Sequence, residues 1–411
     1  MSRKKIYISI LIILLILGAF LWYFFGRTPV STPLGTDTEN PDLFPFGSNV
    51  SGGKNQDGTI RPGGSDTGSG TIDLSGGAGS RQPRLRKVSD DQVSGAGIFK
   101  KGDIAVIHYM DRATGHIFET NADTMARNKI SNITMPKVYE TLWSTDGTEL
   151  IARYLKDDDV TIQSFYGRLP ATTTTNSVIE GYFLPSNIRE ISLAGNKIIY
   201  LDPVQDGALV GSDIDGTKKS FVTNLYSRDW LLGIVNSKNA LVGAKPSGVV
   251  SGDLYTLDMT TGTKLKIMTD ILGLTGLMSH DGTAVIASAS EGRGIASAMY
   301  SIKDKNLSTL SISTLSDKCA WSRSEKNIAY CGVPTAIQSG VYPDDWYQGV
   351  VSFDDRLWVI DSETGEADLI LDPSTEAGID MDMIKIDTDA SGEHLIFTNK
   401  KDSSLWVLDL R

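Results

Sequence analysis

Val138-Tyr139-Glu140-Thr141-Leu142-Trp143-Ser144-Thr145-Asp146-Gly147-Thr148-Glu149-Leu150-Ile151-Ala152-Arg153-Tyr154 is the stretch that decides the fold. An apolar strand runs into Leu142-Trp143, the turn Ser144 to Gly147 reverses it, and a second strand follows from Thr148 to Tyr154. After a polar turn, the residues from Val160 to Tyr166 predict a third strand. Asp-Gly at the centre of such a turn supplies the positive φ that a tight hairpin requires. A second copy reads Leu274 to Met278, the turn Ser279-His280-Asp281-Gly282, Thr283 to Ala287, and a strand around Ala296 to Ile302.

Working outward, units of this kind recur with a period of about 40 residues from Ser94 to the end of the chain. Their later strands read Asp253-Leu254-Tyr255-Thr256-Leu257-Asp258, Arg356-Leu357-Trp358-Val359-Ile360-Asp361 and Ser404-Leu405-Trp406-Val407-Leu408-Asp409. Two of these continue into Thr261-Gly262 and Thr364-Gly365, turns that lead to a fourth strand. No run of helical periodicity competes. Four antiparallel strands joined by tight turns and repeated describe a propeller blade. The units resemble those of the TolB-like and WD-repeat propeller families, whose blades read strand, S-P-D-G turn, strand, L-Y-V-x-D-x-x-x-G. The likeness covers about residues 83 to 411. Thr145 and His280 replace the usual Pro, and Ser322-Arg323-Ser324-Glu325-Lys326 is worn further. The matched motif is structural, so it carries over no catalytic or ligand residue.

The expected fold class is all-β, a seven-bladed β-propeller, with six or eight blades left open because the region from Ala171 to Pro185 is hard to register. The units are Ser94 to Thr134, Val138 to Leu184, Asn187 to Leu225, Asp229 to Thr269, Gly273 to Ser313, Lys318 to Asp372 and Met383 to Arg411. The last holds only three strands. Leu85 to Val88 is expected to supply its fourth, clasping the two ends of the domain and satisfying an otherwise open sheet edge.

Three segments are expected: 1–27, a cytoplasmic stub and transmembrane anchor; 28–82, a linker; and 83–411, the propeller. Ile6 to Phe25 is uncharged and almost wholly apolar, and at about 1.5 Å per residue it spans roughly 30 Å, a bilayer's hydrocarbon thickness. Arg3, Lys4 and Lys5 precede it and Arg27 follows, which predicts a cytoplasmic N-terminus and an extracytoplasmic propeller. A cleaved signal peptide is the competing reading; the length of the run and the bulky Trp22 to Phe25 cluster argue for the anchor. The linker, rich in Gly, Ser, Thr, Pro and Asp, reads as a coil reaching roughly 40 Å. Its apolar island Pro41 to Phe46 reads as tether or short docking motif. With a cytoplasmic tail expected to end at Lys5, self-contained signalling has no output domain.

The net charge of −11 and the absence of a basic run beyond Arg3 to Lys5 exclude nucleic acid from the expected partners. Cys319 and Cys331, the only cysteines, fall on adjacent strands equidistant from the turn at Glu325. Cross-strand partners lie within disulfide range, so a bond is expected in an oxidising compartment, with two buried thiols as the alternative. No metal, cofactor or catalytic set is expected. The four histidines sit in or beside turns, Asp157-Asp158-Asp159 lacks calcium-loop spacing, and no nucleophile-elbow, zinc-protease, phosphate-loop or dinucleotide motif occurs.

The long insertion from Gly332 to Asp354 carries the candidate ligand or partner site: Tyr342, Asp344, Asp345, Trp346 and Tyr347. Loops of this length inside a compact domain are functional or disordered, and Tyr and Trp dominate binding hot spots. The plainer alternative is that Trp346 and Tyr347 pack the loop onto its own blade. Two functions follow as expectations: a membrane-tethered binding or scaffold module for an envelope protein or polymer, or a propeller hydrolase or lyase with its site in the central funnel.

Overall fold

The computed structural model describes residues 82–131, 134–170, 179–227 and 229–411. The expected membrane segment and nearly all of the expected linker lie outside the described residues. Among the described residues no helix is long and apolar enough to cross a membrane.

Among the described residues, seven antiparallel sheets of four strands each are formed. The first strands of blades 1 to 7 are Val93–Lys101, Val138–Trp143, Ile191–Ala194, Trp230–Ile234, Thr275–Met278, Cys319–Trp321 and Met383–Thr388. Several of these strands pack against their neighbours in the ring, and those of blades 2 to 7 line a channel of about 770 Å³. The seventh sheet is closed by the N-terminal strand Leu85–Ser89, which pairs antiparallel with Leu405–Asp409 in the register Leu85 to Leu408. The expected clasp is therefore present.

Sandwiching of each blade between two neighbours explains why the strands do not simply alternate. Ala208–Asp213 and His394–Asn399 are buried at every position, because both faces of a middle strand meet another blade. Outer strands such as Asn306–Thr309 are exposed throughout. The aliphatic cores between blades, for example Ile151, Ile188, Ile198 and Val210, each contribute on the order of 1.5 to 3 kcal/mol per fully buried side chain.

The turn chemistry is as the sequence implies. Ser144 Oγ donates to Asp146 at 2.7 Å and accepts from Glu149 N at 2.9 Å; Ser279 Oγ and Asp281 repeat the first bond at 2.7 Å. Gly147 and Gly282 take φ of 69° and 75°. Several strand ends differ by a few residues from those expected, and one has a clear cause: the third strand of blade 2 is Ile162–Arg168 and starts after Val160. Asp158 accepts from Val160 N at 3.0 Å and Thr161 N at 2.8 Å, which draws Val160 into the turn. The acidic run at 157–159 is thus a turn whose middle carboxylate caps backbone amides.

Cys319 and Cys331 face each other in register and are joined by a disulfide. Closing so short a loop stabilises by about 3 kcal/mol or less.

Candidate functional site: the insertion over the channel mouth

Strand direction places the insertion. The second strand of blade 6, Ile328–Pro334, runs antiparallel to the first, so the chain leaving Pro334 emerges at the face where the first strands begin. The third strand resumes at Asp355. Residues 335–354 therefore lie at that mouth of the channel, and their stem is closed by Thr335 N donating to Asp354 O at 2.8 Å.

The insertion spreads across four blades. Gly340 N donates to Arg293 O of blade 5 at 3.0 Å, and Asp344 accepts from Gly248 N of blade 4 at 2.6 Å. Lys400 of blade 7 donates to Trp346 O at 2.7 Å and lies 4.7 Å from the centre of the Trp346 ring. Backbone approach is close enough to demand glycine at two places. A Cβ on Gly248 would stand 2.6 Å, and one on Gly273 2.4 Å, from Tyr342 O.

The sequence-predicted residues divide by environment. Tyr342 is fully buried and Trp346 nearly so, in a cluster with Ile295, Leu315, Val351 and Phe353. Tyr342 also donates to Gln338 O at 2.7 Å. Asp345 holds the loop's own backbone, accepting from Val341 N at 2.7 Å. Asp344 ties the loop to blade 4 as described. Tyr347, 40% exposed, donates its hydroxyl to Asp317 at 2.9 Å. Cys319 and Cys331 lie below the insertion within blade 6.

Under Trp346 is a buried polar cluster with no forewarning in the sequence. Lys318, fully buried, ion-pairs with Asp355 at 2.7 Å and with Asp382. Asp382 accepts from Trp346 Nε1 at 3.0 Å, Ser352 Oγ at 3.1 Å and Phe353 N at 3.1 Å. Asp355 accepts from Met383 N at 2.6 Å. Burial pushes the Asp355 carboxyl up to about 6 against the opposing pull of Lys318. At Asp382 burial acts in the same upward direction, but Lys318 and the hydrogen bonds outweigh it and leave the carboxyl below its usual range.

The channel itself carries its polar groups at its ends. Glu190 and Asp317 stand at the insertion end, Asp387 and Arg323 at the other, and Leu193, Leu232, Leu277 and Ile386 line the space between. Asp317 is exposed at the channel mouth, and the protein packed around it raises its pKa. Glu190 is raised for the same reason, with Arg153 and Lys245 opposing. Enclosure and the neighbouring carboxylate of Asp317 push the Tyr347 phenol well above its ordinary value. Asp387, bonded to Arg323 at 2.8 Å, is pushed up to about 6 by burial. Nothing in their local sequence joins Arg323 and Asp387; closure of the ring turns both to one channel.

Among the described residues, Asp123, His394 and Asp409 come close enough together to hold a metal ion. The Arg411 guanidinium already bonds both Asp123 and Asp409, filling the cation position. A second grouping, Asp389, Glu393 and His394, shares the same histidine, and Asp389 is committed to capping its turn through Glu393 N at 2.9 Å.

The fold and this site define the chain as a seven-bladed β-propeller with an elaborated channel mouth. The chain is similar to the crystal structure of TolB from Acinetobacter baumannii, at 11% identity, with a TM-score of 0.41 over 62% of this chain. It spans 59% of that structure's length. No family model matches the chain, and no curated protein matches it. The propeller assignment rests on the seven sheets themselves.

Proposed function

We propose that this chain is a membrane-tethered, extracytoplasmic binding or scaffold propeller that docks an envelope protein on the face carrying the insertion. The observation that carries the reading is the division of labour within the insertion. Tyr342 and Trp346 lock the loop in place, while Tyr347 is left half-exposed at the channel mouth, fixed by Asp317. An amphipathic ring held rigid at a surface gives contact area at little cost in conformational entropy. Val350 of the insertion and Val249 and Val250 of the blade 4 loop that Asp344 holds are 70%, 71% and 63% exposed, and these exposed apolar side chains favour a protein over a polar polymer. The apolar segment Ile6 to Phe25 and the Gly/Ser-rich stretch after it support the tether.

Cross-linking pull-down from native membranes tests this, comparing the full-length chain with a Tyr347→Ala/Val250→Asp/Val350→Asp variant. Recovery of a specific partner that the variant loses at unchanged melting temperature is the expected result. A partner retained by the variant, or recovery of a polysaccharide instead, overturns it. A second reading, a hydrolase or lyase site in the channel, is favoured by the raised carboxyls of Glu190 and Asp317 at the mouth. It requires turnover that Asp317→Asn abolishes.

A further inference from the structure

Lys318, Asp355 and Asp382 are each essentially inaccessible to solvent; Lys318 is the one ammonium ion-paired with the two carboxyl groups among the described residues, and Lys400 acts on Asp382 only from farther off. One positive charge cannot compensate two negative ones in a buried site at tolerable cost, so one carboxyl is held neutral. The hydrogen bonds say which. Asp382 receives Trp346 Nε1, Ser352 Oγ and Phe353 N in addition to Lys318, a set of donors that favours the ionised form. Asp355 receives Lys318 and Met383 N on Oδ2, while its Oδ1 is buried with no hydrogen-bond partner. The rings of Trp346 and Phe353 lie with centres 5.1 and 5.3 Å from Lys318 Nζ and wall the group off from water.

We infer that Lys318 and Asp355 are the two halves of an intramolecular amide cross-link, with Asp382 as the base that forms it. Nζ is held 2.7 Å from Asp355 Oδ2, beside the Cγ that it would attack, and fixed approach of this kind is what lowers the barrier of an intramolecular step. One Nζ proton passes to Asp382. The freed lone pair bonds to Asp355 Cγ, and the charge that develops on Oδ2 is met by the Met383 N–H, already at 2.6 Å. The Oδ1 hydroxyl then leaves with a second Nζ proton as water, the third proton stays on the amide nitrogen, and Asp382 ends protonated. Three charged or acidic groups become one neutral amide and one neutral acid, so the buried charge disappears. The raised pKa of Asp355 keeps its carboxyl closer to the neutral, electrophilic form, and the lowered one of Asp382 keeps that carboxyl ionised and able to receive a proton. Water exclusion by the two rings protects the product from hydrolysis.

The bond would close a covalent ring from residue 318 to residue 355 that contains both the disulfide and the whole insertion, locking the stem of the insertion to the innermost strand of its blade. This assignment stands apart from the proposed partner, since it depends on no docking.

The test is the mass of the full-length protein after reduction of its disulfide, together with its tryptic map. The expected protein is one water lighter than its sequence, trypsin does not cut after Lys318, and a branched peptide joins Lys318 to Asp355. Asp382→Asn, which keeps an acceptor for Trp346 but removes the base, is expected to show the full sequence mass, with Lys318 cleaved normally. A wild-type protein with Lys318 and Asp355 in separate linear peptides overturns the inference, whatever the variants do. A branch at Asp382, or loss of water in Asp382→Asn, overturns the assigned roles.

Discussion

Trp346 and Tyr347 are neighbours in sequence with opposite duties. Trp346 is 4% exposed, donates to Asp382 and packs against Lys318 and Lys400, so truncating it removes a buried ring and one of the donors to Asp382. Trp346→Ala is expected to cost about 3 to 5 kcal/mol, read as a clear fall in the denaturant midpoint. Tyr347→Phe removes only the bond to Asp317. Its stability is expected to stay within about 1 kcal/mol of the parent, with any effect falling on partner capture. Equal losses in the two variants would show that Tyr347 is merely part of the packing.

At the scale of the element, the insertion owes its rigidity to backbone contacts with blades 4 and 5 as much as to its aromatic core. Gly273, at φ 63° and with Tyr342 O where its Cβ would be, is the tightest of these. Gly273→Ala is expected to push the insertion off the ring, read as faster amide exchange over residues 335–354 than over the strands of blade 6. Unchanged exchange there would mean that the loop is held by its core alone. Opposite the insertion, His394 pins blade 7 to blade 1. Its Nε2 lies 3.1 Å from Asp123 and its Nδ1 3.6 Å from Asp389, with Glu393 and Asp409 alongside and Arg411 bonded to Asp123.

For the whole molecule, that histidine belongs to the closure of the ring, beside the clasp of Leu85–Ser89 on Leu405–Asp409. Burial would lower the pKa of His394, but the carboxylates of Asp389 and Asp123 outweigh it and raise the value. The folded state therefore holds the proton more tightly than the unfolded chain. Its contribution is complete below the unfolded value of about 6.5 and is lost as the pH rises through the raised folded value. Wild-type melting temperature is expected to fall between about pH 6 and pH 8 more steeply than that of His394→Gln. Parallel profiles would remove His394 from the account of ring closure.

Much of this molecule was legible in local chemistry. The Ser-x-Asp-Gly turns at 144–147 and 279–282 specify their own hydrogen bonds within five residues, and a hairpin brings Cys319 opposite Cys331 by counting alone. Seven repeats and a missing fourth strand were likewise readable, because an open sheet edge in the last blade requires a strand from elsewhere. The long insertion announced itself by length and aromatic content, but which of its rings would be buried did not. That depended on Lys318, Asp382 and Lys400 arriving at Trp346 from separate parts of the chain, Asp382 alone standing 64 residues from Lys318. Glu190 and Asp317 meet Tyr347 at the channel mouth only because seven blades close a ring. Sequence by itself determined the repeat, the turns and the pairing of strands, since each is decided by contacts within a few residues or within one hairpin. Tertiary structure alone decided the buried Lys318 cluster and the channel mouth, since both are assembled from separate blades whose side chains converge only when the circle is complete.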